Sequence, residues 1–136
     1  MLLALLLHFT VTIAMTGVIW SVQIVQYPLF GFVGSERFQQ YHQQHMKRIT
    51  YVVAPLMLSE LVTGCYLVYV RHEWELVLNF ALLLLIWLST AALQVPAHNA
   101  LAETYTDKTA RKLVTGNWVR TLVWTARAAL LVSLMI

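Results

Sequence analysis

Four apolar stretches, each bordered by a short polar cluster, set the plan of the chain. Leu2 to Val25 is apolar enough to cross a bilayer, which takes about 20 helical residues. No basic leader or small-residue cleavage site marks it for removal, so a retained span is expected within a first helix of about 2–26. Along it His8, Thr12, Thr16, Trp20, Gln23 and Tyr27 recur every three or four residues, a polar stripe that should face protein rather than lipid. Pro28 biases the chain out of helix, and Gly31, Gly34 and Ser35 suit a turn with Ser35 capping the next helix. That second helix, expected over about 36–70, would be roughly 50 Å long against a hydrocarbon core of about 30 Å. Its first turns must therefore stand outside the core, and Pro55 predicts a kink near Tyr51. Arg71, His72, Glu73 and Glu75 mark the opposite interface. The third helix, about 76–104, spans from Leu76 to Val95 and meets Gln94 and Pro96 at its exit. Thr106, Asp107 and Lys108 read as a turn and helix start, and the fourth helix, about 107–135, would span from Leu113 to Met135.

The architecture implied is all-α: one transmembrane domain, 1–136, folded as an antiparallel four-helix bundle with short loops. With 60% hydrophobic and 11% charged residues, the chain lacks the polar surface of a soluble domain. The formal charge of +3 comes from basic residues gathered at span ends, which orients the protein and gives no support to nucleic-acid binding. Arg37, Lys47, Arg48, Lys108, Arg111 and Lys112 fall on one side, so that side is expected to face the cytoplasm, with both termini outward. Cys65 is the single cysteine and forms no internal disulfide.

Candidate chemistry follows from helix geometry. His42 and Glu60 lie eighteen residues apart, five turns, and so share one face, with His45 about 60° away. Glu60 inside an apolar run is costly unless it faces the bundle interior. On the fourth helix Asn117, Arg120, Trp124 and Arg127 share a face, and Arg127 and Glu60 are expected to form an intramembrane ion pair. Tyr27, His42, His45, Gln94, His98, Asn117 and Arg120 all sit near the cytoplasmic ends, where they can converge at one mouth. Three imidazoles and a carboxylate, His42, His45, His98 and Glu60, suit zinc, copper or non-haem iron. Equally, they read as hydrogen-bonded or solvated histidines. His8 offers an axial ligand for haem, with His72 too near the interface to be its partner. Trp87, Trp118 and Trp124 read first as packing residues or interfacial anchors.

Gly17 with Gln26-Tyr27-Pro28, the run Gln94-Val95-Pro96-Ala97-His98-Asn99-Ala100-Leu101, and Asn117-Trp118-Val119-Arg120 with Trp124 and Arg127 give the chain a family resemblance. It resembles small four-span membrane proteins that include the fungal anthrone-oxygenase-like proteins and many bacterial members. His8, Gly17 and Tyr27-Pro28 also look like the opening of the haem-binding membrane protoporphyrinogen oxidase group. The resemblance implies a membrane-embedded oxidoreductase or oxygenase, in a bacterial inner membrane, acting on a hydrophobic small molecule. In that reading His42, His45 and His98 hold a metal or shuttle protons. Glu60 is an acid–base group or fourth ligand, and Arg120, Arg127 and Asn117 serve an oxyanion or anionic substrate. Other readings stay open: a transport or binding subunit with Glu60 and Arg127 lining a polar path, or a structural subunit of a larger assembly. The bilayer and a hydrophobic small molecule are the expected partners, and self-association into a homo-oligomer remains open.

Overall fold

The computed structural model describes residues 1–135 as four long helices with no strand among them. α1 runs over Leu2–Phe32, α2 over Ser35–Arg71, α3 over Trp74–Glu103 and α4 over Asp107–Ser133. Two or three residues join each helix to the next, so consecutive helices run antiparallel. α1 packs on α2 and α4, and α3 packs on α2 and α4, which closes a square bundle.

The bundle is apolar outside and polar within. Leu3, Ile24, Val62 and Leu88 are exposed, whereas His8, Thr12, His42, Glu60, Asn79, Asn117 and Arg127 are buried. Water would penalise that arrangement, and a bilayer reverses the penalty. α1, α2 and α3 are each long and apolar enough to cross a membrane. α4 is as long as a span, and its polar residues Asn117, Arg120, Thr121 and Arg127 are turned into the bundle.

Helix ends follow the expected bounds closely, with three local differences. The first helix continues through Pro28 to Phe32: a π turn over Val22–Gln26 widens the helix just before Tyr27-Pro28, and the proline sits in the fresh turn that follows. α3 repeats the device, with a π turn over Thr90–Gln94 ahead of Val95-Pro96. A wide turn makes room for a proline ring that would otherwise meet the preceding carbonyls. Gly34, not Ser35, is the cap of α2, because Ser35 is already its first helical residue. α2 itself runs unbroken through Pro55. It stops at His72, whose left-handed conformation (φ 52°) turns the chain while Arg71 and Glu73 pair at 2.7 Å. Thr106 caps α4 as expected, its Oγ1 accepting from the Thr109 N–H at 3.1 Å.

Candidate functional site

The stripe on α1 faces protein along its length and ties α1 to α4. Trp20 Nε1 donates to Thr125 Oγ1 at 3.0 Å, and Gln23 Nε2 donates to the Val114 carbonyl at 3.1 Å. Asn117 Nδ2 donates back to Gln23 Oε1 at 2.9 Å. Two polar layers lie at the ends of this stripe.

The inner layer forms around Glu60. Arg127 Nη1 meets Glu60 Oε1 at 2.5 Å with both side chains fully buried, as the spacing predicted. Trp124 Nε1 donates to both carboxylate oxygens at 3.2 and 3.1 Å. Arg127 Nε donates to Asn79 Oδ1 at 3.2 Å, and Asn79 Nδ2 donates to the Arg127 carbonyl at 3.1 Å. Asn79 Oδ1 also receives His8 Nε2 at 3.3 Å, and His8 Nδ1 lies 2.7 Å from Thr63 Oγ1. Because Asn79 Oδ1 can only accept, a proton of His8 is assigned to Nε2; Nδ1 lies against the Thr63 hydroxyl, which also donates to the Ser59 carbonyl at 2.6 Å. Both ring nitrogens are thus engaged. Gly64 lets α2 approach so closely that an added Cβ would stand 3.2 Å from His8 Cε1 and 3.0 Å from Phe80 Cδ2. His8 therefore does not fit the role of haem ligand: both of its ring nitrogens have partners and its edge is packed.

The outer layer forms where the polar ends of α1, α2 and α3 meet. Tyr27 Oη lies 3.0 Å from His98 Nε2, and His98 Nδ1 lies 3.0 Å from His42 Nε2. Tyr27, His98 and His42 are buried and form a continuous hydrogen-bonded chain. His98 stands in a wall between two spaces. On one side is a cavity of about 380 Å³, lined by Val18, Ile19, Val53, Met57, Trp87, Tyr27, Gln94 and Arg120. On the other is a polar surface cleft lined by Gln39, Gln40, Gln43 and His42. Exposed Thr50, Leu58 and Val95 edge the cavity, so it opens sideways between α2 and α3.

This geometry corrects the four-ligand metal set. Among the described residues no three His, Cys, Asp or Glu side chains gather closely enough to share a metal ion. His42 and Glu60 share a helix face, but eighteen residues of helix separate them by about 27 Å. Glu60 belongs to Arg127. His45 is half-buried and packs edge-on against Phe30, ring centroids 5.1 Å apart, and makes no hydrogen bond to His42 or His98 among the described residues. Two imidazoles and a phenol remain, too few for a closed zinc site. Glu60 and Arg127 do not line the cavity. Asn117 stays outside the cavity wall but accepts from Arg120 Nη1 at 3.3 Å, so it positions that arginine.

Tyr27, Gln94 and Trp87 carry more of the site than their residue types suggested. Tyr27 was visible as the last member of the α1 stripe and as one of the groups expected at the common mouth, where it meets His98. Fold and site together define a helical membrane protein with a lipid-facing apolar cavity that ends in a tyrosine–histidine–histidine chain. Set against protein-family models, curated proteins and solved structures, the chain matches none of them.

Proposed function

We propose that the chain is a membrane-embedded enzyme of the oxidoreductase or oxygenase class that draws a hydrophobic small molecule from the bilayer into the cavity between α2 and α3. The supporting observation is the position of His98, hydrogen-bonded to Tyr27 at the cavity wall and to His42 at the polar cleft. A cavity of about 380 Å³ with an apolar body and a few convergent polar groups is of the size and kind that holds small ligands. Tyr27 and His98 would take a proton from the bound molecule, and His42 would release it toward water; such general-base assistance contributes typically about 10²- to 10⁴-fold in rate. The oxidative part of the reading comes from the resemblance to anthrone-oxygenase-like proteins, with dioxygen as the oxidant. By the positive-inside rule the outer layer and its basic loops face the cytoplasm.

Oxygen uptake by protein in phosphatidylcholine nanodiscs, offered a panel of hydrophobic hydroquinones and anthrones, tests the proposal beside the His98→Ala variant. Uptake that falls at least about 100-fold in the variant supports it. Uptake that is absent with every compound, or unchanged in His98→Ala, defeats it.

A further inference from the structure

α4 sends two arginines into the bundle, and only one finds a carboxylate. Arg127 has Glu60. Arg120 is 6% exposed and is paired with no Asp or Glu among the described residues. Its Nη1 reaches Asn117 Oδ1 at 3.3 Å, and its guanidinium carbon lies 5.3 Å from the ring centroid of Trp124. Its Nε has no partner, and Nη2 makes no hydrogen bond among the described residues. These two atoms form the side-on fork of a guanidinium, the edge that matches a carboxylate through two parallel bonds.

Arg120 lines the cavity beside Tyr27 and His98, with Nε turned into the protein and fully buried. Gln94, 2% exposed, lines the same wall with both amide atoms unpartnered. A buried guanidinium stays protonated, and a buried charge without a counter-ion is costly. Asn117 and the Trp124 ring offset that cost without neutralising it. The rest of the wall is mainly aliphatic.

We propose that the cavity binds a hydrophobic monocarboxylic acid, its carboxylate paired with the Arg120 guanidinium and its apolar body between α2 and α3. This rests on the reading of the cavity as a small-molecule site and narrows it to one charge class. A single guanidinium matches a single negative charge; a dianion would carry an uncompensated charge into the bilayer.

The test compares anthracene-9-carboxylate with its neutral counterpart anthracene-9-methanol and the cation 9-(aminomethyl)anthracene, on protein in phosphatidylcholine nanodiscs. Binding is read as energy transfer from tryptophan, Trp87 standing in the cavity wall, and corrected with empty nanodiscs. Wild type should bind the carboxylate at least about tenfold more tightly than the alcohol and should bind the cation weakest. Arg120→Gln should bring carboxylate and alcohol to the same affinity, while Arg120→Lys keeps part of the preference. If wild type binds the alcohol as tightly as the carboxylate, the carboxylate assignment is overturned and the apolar-cavity reading survives. If no probe binds, both fall. The wild-type comparison decides without the variants, so a poorly folding Arg120→Gln does not block it.

Discussion

Around Glu60 the charged groups are wrapped: Arg127, Trp124, Asn79 and His8 hand hydrogen bonds from one to the next, and the cavity stays clear of them. Around His98 the opposite holds. His42 Nδ1, Trp87 Nε1, both amide atoms of Gln94 and Arg120 Nε are buried without partners. The inner layer is left with only Thr12 Oγ1 and Arg127 Nη2 in that condition. A buried polar atom without a partner costs about 1–3 kcal/mol, so the outer layer carries more of that cost than the inner one. The inner layer holds helices in register, and the outer layer borders the cavity and the cleft.

The sharpest way to break this comparison is to remove each arginine in turn. Arg127→Met strands the Glu60 carboxylate and should destabilise the protein by about 3–5 kcal/mol, read as thermal unfolding in mild detergent. Arg120→Met strands no acid and should change stability by about 1 kcal/mol or less. Equal losses would erase the distinction between the layers.

Glycine substitutions probe the same contrast with a smaller effect. Gly64→Ala pushes a methyl between Phe80 and His8 and should cost about 1–3 kcal/mol. At Gly116 the nearest atom to an added Cβ is Gln94 Nε2, 3.2 Å away, the free end of an unpartnered side chain. Gly116→Ala should therefore leave unfolding within about 1 kcal/mol of wild type, helix propensity offsetting the crowding, while altering probe binding.

Tyr27→Phe removes one hydrogen bond and should cost about 1 kcal/mol or less, yet slow turnover by about tenfold or more if the chain from Tyr27 to His42 carries protons.

The smallest effect lies in the loop between α3 and α4. Partial burial first, then the Asp107 carboxylate that accepts from its hydroxyl at 3.1 Å, raise the Tyr105 pKa above the ordinary tyrosine value. A raised phenol favours the folded state below the unfolded pKa of about 10 and loses that contribution as pH climbs through the folded value. Tyr105→Phe should lower stability slightly near neutral pH and flatten the alkaline fall, the two proteins converging at high pH, checked by unfolding across pH 7–12.

Much of the scaffold was legible in the residues. The apolar runs bounded the helices, the α1 stripe named the face turned inward, Thr106 marked a helix start, and Glu60 with Arg127 followed from cost alone. The site was harder. A shared helix face joined His42 to Glu60, whereas the rise along the axis, about 1.5 Å per residue, separates them far beyond any metal's reach. Axial depth set Glu60 beside Arg127, but in the proposed ligand set helical phase outweighed it. The π turns at Val22–Gln26 and Thr90–Gln94 leave no pattern in hydrophobicity, because each adds one residue to a turn without changing which residues are apolar. Topology brought Tyr27 and His98 to one mouth, but the π turns shift their angular positions, so the particular hydrogen bond between them was not drawn from spacing. His8 resembled a haem ligand because residue type shows a nitrogen and not whether Asn79 and Thr63 already hold it.

The Glu60–Arg127 pair also constrains how the chain enters its membrane. An arginine or an aspartate at mid-bilayer carries an insertion cost of about 2.5–3.5 kcal/mol, and α4 carries two arginines in a helix of only modest apolar content. α2, made earlier, brings a carboxylate of its own. α4, which carries the arginines, gains most from meeting α2, whose carboxylate cancels one of its charges. Insertion of α4 is then favoured by the prior presence of α2, and the two helices enter as a coupled pair.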